Sequence, residues 1–118
     1  MNFDEAIQVH ADWKIRLSTY LRKNDGSLKA AEARVDNRCA LGRWLYGEGK
    51  KYSSEAEYQI LVGEHARFHR AAGEVVDKAN SGQETNVESI LHSESEYGIA
   101  SRNVVKAIMD LKRKVTAA

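Results

Sequence analysis

His65 and His69 stand four residues apart in a chain without proline. On an α-helix that spacing sets two imidazoles about one turn apart on the same face, where they can share one metal ion. Their stripe is otherwise apolar and includes Phe68, so both rings point inward, where a polar group without a partner is costly. His10 lies on a similar apolar seam near the N-terminus. Cys39, the only cysteine, begins a short apolar face carried on by Leu41, Trp44 and Leu45. Taken singly, each histidine is a core residue satisfied by a carbonyl or a neighbouring side chain, and an HxxxH pair alone divides about evenly between that reading and a ligand role. The combination decides, because three of the four histidines and the single cysteine all occupy apolar-side positions. Imidazole and thiolate are ligands that zinc prefers, and one cysteine with three histidines fills a tetrahedral shell, leaving no open position for a substrate. The expectation is one Zn²⁺ per chain, held by His10, Cys39, His65 and His69.

The neighbours of these residues suggest how the site is built. With Asp36 as N-cap, Cys39 falls in the first turn of its helix, near the positive end of the dipole, which favours the thiolate. Asp36 can also orient a ligand, although an N-cap role alone accounts for it. Gly42 lets another helix approach closely, and Trp44, Trp13 and Phe68 are candidates to wall the site from water. Asp12 and Glu64 are near ligand candidates in sequence but do not share their helical face, so they read as solvated. His92 reads as a surface residue.

These side chains need helices to hold them. Phe3, Ile7, His10, Leu17 and Leu21 keep 3–4 spacing, which predicts a helix from about Asn2 to Lys23, stopped by the turn-forming Asn24-Asp25-Gly26-Ser27. Leu28 to Arg34 is alanine-rich and reads as a weak helix or an ordered loop. A short helix follows from Cys39 to Tyr46, ended by Gly47 and Gly49. Ser54 to Glu57 fits a capping box that opens the clearest helix, with Tyr58, Leu61, Val62, His65, Phe68, His69, Ala72, Val75, Val76 and Ala79 on one face. Asn80-Ser81-Gly82 ends it. Thr85 to Glu88 offers another capping box for a last helix carrying apolar residues from Val87 to Val115. The expected fold is all-α: a four-helix bundle of three long helices and one short one around a buried zinc site.

Composition bounds the function. At 118 residues the chain, residues 1–118, reads as a single domain. A net charge of +1 with both signs intermixed gives no field toward nucleic acid or an anionic membrane. No apolar run reaches the roughly 20 residues of a membrane span, so no direct membrane insertion is expected, and the N-terminus lacks a signal-peptide pattern. The expected location is cytoplasmic. An enzyme is not expected: Ala66 stands where the general-base glutamate of an HExxH protease would be, and a di-iron site needs more histidines and bridging carboxylates.

Three stretches resemble a known family, the chemoreceptor zinc-binding domain (CZB): His10-Ala11-Asp12-Trp13-Lys14, Cys39-Ala40-Leu41-Gly42-Arg43-Trp44-Leu45-Tyr46-Gly47-Glu48-Gly49, and His65-Ala66-Arg67-Phe68-His69 with Ala72-Gly73-Glu74-Val75-Val76. The likeness runs from Phe3 to about Ala79, and CxLGxW is its specific element. It implies a four-helix bundle with one zinc on His10, Cys39, His65 and His69. It also implies a sensory role in bacterial signal transduction. The implied partner is the output domain of a chemoreceptor or diguanylate cyclase, or a separate signalling protein, with zinc occupancy or thiolate oxidation as the stimulus. Dimerisation, known in some relatives, remains open, as does the alternative of a purely structural zinc module that binds a partner.

Overall fold

The computed structural model describes residues 2–23, 28–37, 39–81, 87–92 and 95–116. Helix α1 (Phe3–Arg22) opens on a capping box, in which the Asn2 side chain accepts from the Glu5 amide at 2.7 Å while the Glu5 carboxylate reaches back to the Asn2 amide. Its buried stripe is Ala6, His10, Leu17, Tyr20 and Leu21. The turn expected at Asn24 to Ser27 lies outside the described residues. The alanine-rich segment that follows forms a short helix, α2 (Ala30–Arg34), which packs on the long helix at residues 56–80 and buries Ala33.

Helix α3 (Ala40–Tyr46) begins one residue later than its apolar face suggested, because Cys39 is itself the N-cap, its sulfur accepting from the Gly42 amide at 3.2 Å. A 3₁₀ segment (Glu48–Tyr52) follows, and α4 (Ala56–Asn80) comes next. The capping box expected at Ser54 does not form: Glu55 occupies the cap position without a side-chain hydrogen bond, and the amides of Tyr58 and Gln59 bond to its carbonyl instead. The last helical segment is broken in two, α5 (Val87–Leu91) and α6 (Glu96–Thr116). Ser95 marks the restart, its hydroxyl accepting from the Gly98 amide at 2.9 Å. The capping box expected from Thr85 falls mostly outside the described residues.

The fold of the described residues is thus all-α, without a strand: three long helices, α1, α4 and α6, carry short helical segments between them. The α4–α6 pair forms the main contact, while α1 lies against α6, α3 and α5. Phe68, Leu17, Leu41, Leu45, Leu61, Ile108 and Leu111 are fully enclosed, each stabilising the fold by about 1.5 to 3 kcal/mol relative to exposure. No helix among the described residues is long and apolar enough to cross a membrane.

Candidate metal centre

Helix α4 delivers two of the expected ligands together, because its 3.6-residue period returns His69 to the face of His65, and burial leaves them 2% and 1% exposed. The N-terminus of α3 brings Cys39 against them. Cys39 Sγ lies 3.2 Å from His65 Nε2 and 3.6 Å from His69 Nε2, and the two Nε2 atoms are 3.1 Å apart. A tetrahedral zinc with ordinary bond lengths has sulfur–nitrogen edges of about 3.6 Å and nitrogen–nitrogen edges of about 3.3 Å. The triangle therefore already has the dimensions of one face of a zinc site.

Protons support the same reading. His69 Nδ1 is 2.8 Å from the Ala33 carbonyl, which can only accept, so Nδ1 carries the hydrogen and the Nε2 lone pair of the neutral ring is directed at the cluster. His65 Nδ1 is buried without a partner. If His65 is protonated there, two nitrogen lone pairs face each other across 3.1 Å, a gap suited to a cation. Burial holds the three histidines in their neutral, ligating form. It pushes His65 down to about 3, helped by His69, and His10 to about 4, helped by Lys14 and His69. His69 also falls through burial, although the Ala33 bond and the charge of Asp36 oppose it.

The cysteine departs from expectation. Its helix-terminal position supplies hydrogen bonds that favour the thiolate, including one from Gly42, yet burial outweighs them and pushes the Cys39 thiol up. A ligated cation would offset that burial, since a metal deprotonates a coordinating thiol outright.

The other expected residues fall in varied places. His10, 4% exposed, lines the same cleft of about 280 Å³ as Cys39, His65 and His69, yet it stands outside the tight three-ligand group and its Nε2 meets Ser101 Oγ at 3.0 Å. Phe68 and Trp13 do wall the cleft, with ring centroids 4.6 Å from His10 and 5.1 Å from His69 respectively. Trp44 does not, for its ring packs edge-on against Phe3 at 5.7 Å and beside Tyr52. Asp36 is not the N-cap of α3. Its carboxylate accepts from Tyr46 at 2.7 Å, and its charge favours the protonated forms of Cys39, His65 and His69. Gly42 admits the Asp36–Asn37 backbone rather than a helix: a Cβ there would sit 1.8 Å from the Asp36 carbonyl oxygen. Glu64, expected in solvent, is half-buried and accepts from Asn103 on α6, while Asp12 and His92 are exposed.

Two contacts at the site were not anticipated. The Ala33 carbonyl leaves no trace in side-chain pattern. Ser101 does leave one, as a polar residue on the apolar stripe of α6 between Tyr97 and Val104.

A Cys-His-His triangle with zinc-sized edges, its two histidines buried and its cysteine partly so, defines a helical domain with a candidate metal site. The family model of the chemoreceptor zinc-binding domain matches residues 10–76, and the chain belongs to that family. That match spans Cys39, His65 and His69 and begins at His10. Comparisons with curated proteins and with solved structures found no match.

Proposed function

We propose that Cys39, His65 and His69 bind one zinc ion, that His10 completes the shell, and that the chain is a cytoplasmic sensory domain with no catalysis of its own. The observation that carries the reading is the ligand triangle, with edges of 3.2, 3.6 and 3.1 Å. Structural zinc contributes roughly 10 to 16 kcal/mol in small domains near neutral pH, which equals or exceeds the ~5 to 15 kcal/mol stability of a typical domain. Occupancy can therefore order or release the element that carries a ligand.

That element is α3, seven residues long and capped by the Cys39 sulfur. The stimulus acts at that sulfur, as a change in zinc level or as oxidation. With hypochlorous acid the thiolate gains an S–O bond and becomes a sulfenic acid while chloride leaves, the sulfur losing two electrons. The readout passes to the output domain of a chemoreceptor or diguanylate cyclase, or to a separate signalling protein.

Metal analysis of protein purified without chelator tests the site. We expect about one zinc per chain in the wild type, and strong loss in His65→Ala and Cys39→Ser. A metal-free wild type overturns the assignment. In a full-length receptor or cyclase, Cys39→Ser separates sensing from a purely structural zinc: unchanged output with lowered stability supports the structural role.

A further inference from the structure

His10 and Ser101 form a buried polar pair, 4% and 3% exposed, that bridges α1 to α6. Ser101 lies beyond the 10–76 stretch that matches the family. Ser101 Oγ lies 3.0 Å from His10 Nε2, while neither ring nitrogen of His10 belongs to the group formed by Cys39, His65 and His69. A hydroxyl donating to Nε2 occupies the lone pair that a metal would need.

We infer that Ser101 is a positioning residue that competes with zinc for His10, so that ligand completion by His10 breaks a contact to α6. This inference rests on the zinc reading above. In the metal-free chain the Ser101 hydroxyl satisfies an otherwise unpaired buried nitrogen. When His10 Nε2 turns to the metal, Ser101 can bond back to a carbonyl one turn earlier in its own helix, as helical serines do, so the exchange strands no polar group. Zinc occupancy is then registered on α6, the partner of α4 in the main helix contact, through one hydrogen bond gained or lost.

The test is zinc affinity by competition with a chromophoric chelator. Ser101→Ala removes the competitor and is expected to bind zinc several-fold more tightly, with about 13-fold, one whole net hydrogen bond, as the ceiling, because the bond Ser101 makes to its own helix in the zinc-bound state is lost as well. The effect is expected to vanish in a His10→Ala background, because the two residues act through each other. Weaker binding by Ser101→Ala, an unchanged affinity, or an equal effect without His10 overturns the inference.

A measurement without variants adds a second reading. Ring ¹⁵N spectra on adding Zn²⁺ are expected to show His10 ligating through Nε2; ligation through Nδ1, with the Ser101 bond kept, overturns it. A wild type that binds no zinc removes the underlying metal reading as well, whereas one zinc per chain with Ser101→Ala unchanged removes this inference alone.

Discussion

Replacing Gly42 by alanine tests the way α3 is seated. Within a helix this change ordinarily gains up to about 1 kcal/mol from propensity. Here the new Cβ would lie 1.8 Å from the Asp36 carbonyl oxygen, 2.8 Å from its carbon and 3.0 Å from Asn37 Cα, all backbone atoms that no rotamer can move aside. Either the Asp36–Asn37 segment or the first turn of α3 has to shift. Overpacking of this kind costs about 1 to 3 kcal/mol, and a backbone obstacle belongs at the upper end. The net expectation is a loss of about 2 kcal/mol, close to a 30-fold fall in the folded-to-unfolded ratio. Because the Gly42 amide also bonds to the Cys39 sulfur, zinc affinity is expected to fall with it. Gly63→Ala is the control: nothing lies within 4 Å of its Cβ position, so the same substitution is expected to stabilise by about 0.5 to 1 kcal/mol. Urea unfolding of both variants in chelator measures the pair. A Gly42→Ala protein as stable as Gly63→Ala would refute the seating argument.

Other expectations concern the same architecture. Tyr58→Phe removes the buried hydroxyl that donates to the Leu45 carbonyl at 2.6 Å, and is expected to cost about 1 to 2 kcal/mol in urea unfolding with zinc content unchanged. Amide exchange of residues 39–46 is expected to speed up on adding chelator while the 104–111 core of α6 stays protected; equal protection with and without metal would count against α3 as the moving part. Chelated protein is expected to lose stability on acidification. Folding lowers His10 to about 4 and His65 to about 3 from 6.5, so the unfolded chain takes up more protons. This stability is complete above pH 6.5 or so and drains away as pH falls toward 3 to 4, which urea midpoints across that range would register.

The sequence revealed most where periodic pattern and chemistry coincide. The stripe of α4 placed His65 and His69 on one face, and a lone cysteine among apolar residues marked the third corner. It was less informative where several residues could play one role. Asp36 has the side chain expected of an N-cap for α3, and only packing made the Cys39 sulfur the cap. Trp44 follows the ligand segment closely in sequence, but one helical turn carries it round to Phe3 and Tyr52. The break between α5 and α6 went unread because the apolar spacing runs on past Ser95, whose capping bond is a local competitor to helix continuation. The distance from His10 to the other three ligands depends on how α1 is set against α3 and α4, a tertiary relation that spacing along one helix does not encode.

The bond from His69 to the Ala33 carbonyl has an evolutionary corollary. The acceptor is main chain, so every residue type supplies it equally well, and substitution cannot delete it without altering the course of α2. Natural variants should drift freely at the exposed Ala31 and Glu32, whereas Arg34 lies across Gly73 and pairs with Asp77 of α4. They should keep a small residue at the buried Ala33 and tolerate no insertion or deletion within the segment, since a shift of one residue would turn another carbonyl away from the ring.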